Sequence, residues 1–301
     1  MRKWMFLAAT LWLALVPSRS VAWNQSEISW LTITTEHFCV QYHKGLERYA
    51  EHAAAVAESV YGPVTEMYGY KPDGKIYLNL SDVEDESQGV TYYYLNRIDI
   101  TVTPYDFWFR GSAAWISNVI AHEFTHMVSV QSSFKYSRRI PSLYLQAVNF
   151  EKEKRPDVIY GYPNLQMSIP IPGEILPGWF AEGMAQYQCS GACHDMWDSH
   201  RDMLLRTAFA SGTLLTIDEM GVFGKNSRAS EMVYNQGFSL AGFVARRFGA
   251  DKLRDLALAF SSMRRWGFDG ACEHVLALSD EELYRMWKED LSAKYDPVLS
   301  G

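Results

Sequence analysis

Val119-Ile120-Ala121-His122-Glu123-Phe124-Thr125-His126-Met127-Val128 is a His-Glu-x-x-His motif in which no other residue carries a charge. The run reads as helix, and residues four apart on a helix lie one above the other on the same face. His122 and His126 can therefore offer two imidazole nitrogens to one ion, a donor pair that suits zinc. Glu123 lies about 100° round the helix from His122, where its carboxylate reaches a metal-bound water without becoming a ligand. That is the place of a general base. The apolar flanks let the helix enter the interior while only these side chains bring polarity with them.

A second stretch completes the donor set. Pro177-Gly178-Trp179-Phe180-Ala181-Glu182-Gly183-Met184-Ala185-Gln186-Tyr187 opens a helix with one carboxylate among apolar residues, and Glu182 is the natural third ligand. An ordinary reading of the same residues has two surface or core histidines and an acid placed near a helix N-terminus by the macrodipole.

At the start of the chain, Arg2 and Lys3 precede an apolar run from Trp4 to Val16, followed by Pro17 and the small-residue ending Ser20-Val21-Ala22. This is the layout of a secretory signal cleaved after Ala22, and the run is short for a bilayer span. The expected location is periplasmic or secreted. Losing Arg2, Lys3 and Arg19 and no acid moves the formal charge from −7 to −10. So acidic a surface argues against nucleic acid as partner. No repeat, heptad series or low-complexity tract is present, and the aromatic content fits a globular core.

The expected fold class is α+β. Leu31 to His43 alternates as a strand with Phe38, Val40 and Tyr42 on one side. Leu46, Tyr49, Ala53, Val56, Ala57 and Val60 recur at helical spacing. Pro72-Asp73-Gly74 makes a turn into a strand from Lys75 to Leu80, and Asp82 to Ser87 is an acidic loop. Val90 to Leu95 and Ile98 to Thr103 read as two strands turning at Asn96-Arg97. One free edge of that pair could lie beside the metal, where an extended peptide would add as another strand, or a loop could cover it. Residues 23–112 are thus expected to form an N-terminal α/β lobe, and 113–301 a mostly helical lobe with the zinc site.

Between His126 and Glu182 lie 55 residues, mostly loop by their Pro content, with a short helix expected from Leu143 to Phe150; such a length suits a lid or specificity element, or a solvated insertion. Helices are expected over Asp195 to Phe209, Glu231 to Phe248, Asp251 to Phe260 and Ser279 to Leu291, the last opened by a Ser279/Glu282 capping box. Cys39, Cys189, Cys193 and Cys272 form an even set, which in an exported chain suggests disulfides with three possible pairings. Cys189 with Cys193 is the easiest loop to close, leaving Cys39 for Cys272. Alternatively, Cys189, Cys193, His194 and His200 would make a structural zinc site.

Taken together, His122-Glu123-Phe124-Thr125-His126, Pro177 to Ala185 around Glu182, and Tyr234-Asn235-Gln236-Gly237-Phe238 resemble the gluzincin metallopeptidases. Within that group the chain looks most like the bacterial peptidase MA-like domain, found in exported proteins that often carry a TolB-like propeller after the catalytic part. The resemblance implies a thermolysin-like catalytic domain, one catalytic zinc held by His122, His126 and Glu182, Glu123 as base and Tyr234 as oxyanion donor. Tyr234 also reads simply as a packing residue of its helix. The Gly-x-Met-Glu-Asn segment that holds a substrate amino terminus in zinc aminopeptidases is absent, so aminopeptidase action is unsupported.

The expected activity is zinc-dependent hydrolysis of peptide bonds in a peptide or protein substrate. Two alternatives use the same residues: a non-catalytic envelope binding or assembly module that retains zinc, and a zinc hydrolase of a non-peptide amide or ester. Membrane contact and oligomeric state stay open.

Overall fold

The computed structural model describes residues 28–83, 87–104, 114–139, 143–150, 163–171, 176–188, 192, 194–221, 223 and 227–300. The signal segment and its cleavage point after Ala22 lie outside them. The fold is α+β, with a mixed sheet followed by helices.

Strands β1 (Trp30–Thr34), β2 (Phe38–His43), β3 (Ile76–Ser81), β4 (Gly89–Tyr92) and β5 (Arg97–Thr101) form one sheet in the order β1-β2-β3-β5-β4. The inner pairs β2/β3 and β3/β5 are parallel, and the outer pairs β1/β2 and β4/β5 are antiparallel. Helix α1 (Glu47–Tyr68) provides the crossover that the parallel pair β2/β3 requires. Period-2 alternation sends Phe38, Val40, Ile76, Leu78, Leu80, Ile98 and Ile100 to one buried face, against Ala50, Ala53, Ala57, Val60 and Val64. Gln41, Asn79 and Asp99 line the other, half-exposed face. Among the described residues β4 pairs with β5 alone and is an edge.

Helix α2 (Trp115–Ser133) carries the His-Glu-x-x-His motif and is buried over most of its surface, packed between α1, β4 and the helices that follow. Strands β6 (Leu143–Phe150) and β7 (Pro163–Ile171) make a separate antiparallel pair. Then come α3 (Gly178–Tyr187), α4 (Ser199–Ala210), α5 (Ile217–Met220), α6 (Ser227–Phe248), α7 (Asp251–Ala259), α8 (Phe268–Leu276) and α9 (Asp280–Leu299). No helix among the described residues is long and apolar enough to cross a membrane.

Several expectations are corrected. Leu31 to His43 is two strands, because Thr35 turns the chain with its N–H on the Phe38 carbonyl at 2.9 Å. Leu143 to Phe150 is strand rather than helix. It pairs antiparallel with β7, from Leu143 opposite Ile171 to Phe150 opposite Pro163, and that pairing decides for strand. α1 runs past Val60 and Pro63 to Tyr68, where Gly69 (φ 61°) ends it in the left-handed conformation. α4 starts four residues later than expected, at Ser199, since Asp198 caps it by accepting the Arg201 N–H. α8 and the short α5 are helices the periodicity did not signal.

The Ser279/Glu282 capping box is present, and α9 continues from it to Leu299. The turn expected at Asn96-Arg97 lies earlier, over 93–96: Arg97 already belongs to β5 opposite Tyr92, and Asn96 (φ 49°) closes the turn in the left-handed conformation. Cys39 and Cys272 are free thiols and not a disulfide. Cys39 points to the open face of the sheet, whereas Cys272 is buried in α8, where burial and the nearby Asp280 and Asp269 push its thiol far above the usual range. Cys189 and Cys193 lie outside the described residues, so their pairing and the four-residue zinc alternative do too.

Candidate metal centre

The i, i+4 spacing stacks His122 and His126 on the face of α2 turned towards α3, their rings 4.7 Å apart and nearly perpendicular. α3 brings Glu182 across. Its Oε2 lies 3.0 Å from His122 Nε2 and 3.2 Å from His126 Nε2, and the two imidazole nitrogens are 3.1 Å apart. Among the described residues this is the one group of three or more His, Cys, Asp or Glu whose donor atoms converge in this way.

Hydrogen bonds leave one side of this triangle unfavourable whichever tautomers the imidazoles take. A carboxylate only accepts, so both imidazoles would have to donate to Glu182, and then two N–H groups would face each other across the third side. Removing one proton mends that side and sets an imidazole lone pair against the carboxylate. A cation among the three atoms satisfies every side at once. Tetrahedral zinc with bonds of 2.0–2.1 Å needs donors about 3.3 Å apart, close to the three distances here. The donor set and its spacing thus fit zinc. Burial opposes charge on Glu182, but His126 and His122 outweigh it and hold the carboxyl far below the usual carboxylate range.

Two glycines set α3 in place. A Cβ on Gly183 would lie 2.4 Å from the Gly237 carbonyl oxygen of α6, and one on Gly237 would lie 2.5 Å from that of Trp179. The backbones of α3 and α6 touch at these positions, which no larger residue would allow. Trp179 and Phe180 pack on Phe268 of α8 at 4.9 and 5.1 Å. Glu182 is thereby aimed from a rigid helix. The same contact brings Tyr234, on α6, into the wall of the cavity.

That cavity, of about 490 Å³, is lined by His122, Glu123, His126, Glu182 and Tyr234 together with residues of β4. All five residues singled out in the sequence therefore meet in one place. Glu123 is buried but is no part of the triangle; its Oε2 accepts from the Thr91 hydroxyl at 2.7 Å. Gln131 ties α2 to the β4–β5 turn, its amide donating to the Tyr93 carbonyl (2.5 Å) and Asn96 Oδ1 (2.7 Å).

Features the sequence reading missed are Thr91 and Gly89 of β4, the Gly183/Gly237 contact, and a wall made by Asp195. Arg201 holds that carboxylate in a buried two-pronged pair at 2.9 and 3.0 Å. The only sequence signal for these was an Arg and an Asp six residues apart around an apolar helix start, and glycines inside two helical patterns.

The chain matches no known protein-family model and no curated protein.

Proposed function

We propose that this chain is an exported zinc-dependent metallopeptidase of the gluzincin kind. The observation that carries the reading is the triangle of His122, His126 and Glu182 with a buried carboxylate, Glu123, beside it and outside it. A purely structural zinc site closes all four positions with protein donors and has no use for a neighbouring base. The chemistry of the five residues, and not a matched relative, supports the assignment.

His122, His126 and Glu182 would hold one zinc. When bound, the ion supplies Lewis acidity, polarising a scissile carbonyl and bringing the pKa of a water to about 7. Glu123 takes the proton of the attacking water and passes it to the departing amine, the step for which its carboxylate is kept free of the ligand set. The Tyr234 hydroxyl donates to the oxygen that becomes negative as the carbonyl is attacked. Peptides are favoured over other amides and esters by β4, whose residues 89–91 line the cavity and which, among the described residues, has a partner strand on one side only, so that its main chain can pair with an extended chain.

Glu123→Gln tests the reading. It should leave zinc content unchanged and lower cleavage of a broad peptide library by at least about 100-fold. A variant that cleaves as fast as the parent would exclude this mechanism.

A further inference from the structure

Thr91 stands on the edge strand β4, on the side turned towards α2. Its hydroxyl oxygen lies 2.7 Å from Oε2 of Glu123 and 2.8 Å from the main-chain oxygen of the same residue. One hydroxyl has one proton to give, and both oxygens within its reach belong to Glu123. Two residues back on the same side of the strand, Gly89 leaves space for the other oxygen. A Cβ there would sit 2.8 Å from Glu123 Oε1, 2.9 Å from its Cγ and 2.4 Å from Val119 Cγ2. β4 thus holds the Glu123 carboxylate by a donor at one oxygen and a fitted gap at the other.

We infer that Thr91 is a positioning residue, which fixes Glu123 in the rotamer that keeps its carboxylate in the wall of the metal cavity. Its catalytic consequence rests on the hydrolase reading above; its geometric consequence does not. The strand proposed to pair with an extended ligand is then also the strand that sets the base. Binding and base geometry share one element, and a substrate that shifts β4 shifts Glu123 with it.

Thr91→Val keeps the shape and removes the hydroxyl, and Thr91→Ser keeps the hydroxyl and removes the methyl. The experiment compares crystal structures of the metal-free parent and both variants, then zinc content, then kcat and KM on a peptide the zinc-loaded parent cleaves. In Thr91→Val the Glu123 carboxylate is expected to leave its position or spread over several rotamers. Zinc content should be unchanged, kcat should fall about 10- to 100-fold and KM should stay within about twofold. Thr91→Ser should restore both the rotamer and kcat. A Thr91→Val protein with Glu123 in the parent rotamer overturns the inference, as does a Thr91→Ser protein as impaired as Thr91→Val. Should the parent cleave no peptide, the hydrolase reading fails while the rotamer comparison still decides the role of Thr91.

Discussion

Glu123 fits beside Gly89 because that residue has no side chain. Gly→Ala changes at ordinary helix and strand positions stabilise by restricting the unfolded chain, and the φ of Gly89 is not in the left-handed region, so backbone conformation alone would allow alanine there. Crowding decides the opposite sign. The added methyl meets Val119 at 2.4 Å, and neither that side chain nor the backbone of α2 can give way freely inside a packed core. Gly89→Ala should therefore destabilise by about 1–3 kcal/mol in denaturant unfolding, and a variant as stable as the parent would show that β4 and α2 are less closely apposed. At this scale the sequence was informative only where a rule is local. His122 and His126 were legible as a pair because helix geometry alone sets an i, i+4 distance. The need for glycine at 89 and a hydroxyl at 91 depends on how closely a strand docks on a helix 30 residues later, and no periodicity encodes that distance.

Among elements, the contact of α3 with α6 is the one that aims Glu182. Gly237→Ala would drive a methyl into the Trp179 carbonyl oxygen at 2.5 Å, so the helices must separate. The expected result is a loss of about 1–3 kcal/mol in stability together with weaker zinc binding, measured by competition with a chromogenic chelator. Unchanged zinc affinity would mean that Glu182 is aimed by something else.

A second contact between elements gives a pH effect. Asp202 of α4 accepts from Tyr295 of α9 at 2.9 Å and from Trp197 at 3.1 Å, and Lys294 pairs with it. Burial raises the pKa of Asp202, but Lys294, Trp197 and Tyr295 outweigh it and hold the carboxyl below its ordinary value. A pKa lower in the folded than in the unfolded chain gives stability that is complete above the unfolded value of about 3.9 and is lost as pH falls through the folded value. Asp202→Asn should accordingly be less stable than the parent at pH 7 and lose less Tm between pH 5 and pH 3. Parallel Tm profiles would contradict this.

Element type was legible where apolar residues kept a clear period, as in α1, β3 and β5. The run at 143–150 was misread because a short apolar segment fits both periods, and only its pairing with a strand beginning at Pro163 decides between them. The ends of α1 and α9 were missed because tertiary burial of Val64, Tyr68 and Tyr295 carries both helices past prolines or weak periodicity.

In the molecule as a whole, β4 and α2 make one side of the cavity, and α3, Asp195 and Tyr234 of α6 the other. The three donors thus come from two helices, α2 and α3, which are joined by a long connection and held together by packing. A cation shared between those helices must couple metal binding to stability, because the unfolded chain does not hold the three donors in place. Chelation should lower Tm, and the loss should vanish in a His122→Ala variant; equal chelator sensitivity in both would mean the metal binds elsewhere. The most direct measurement is zinc content by elemental analysis of the purified protein, of Glu182→Ala and of the double variant His122→Ala/His126→Ala. The account predicts about one zinc per parent chain, far less in Glu182→Ala and none in the double variant. A parent without zinc after loading, or variants that retain the full parent content, would contradict it.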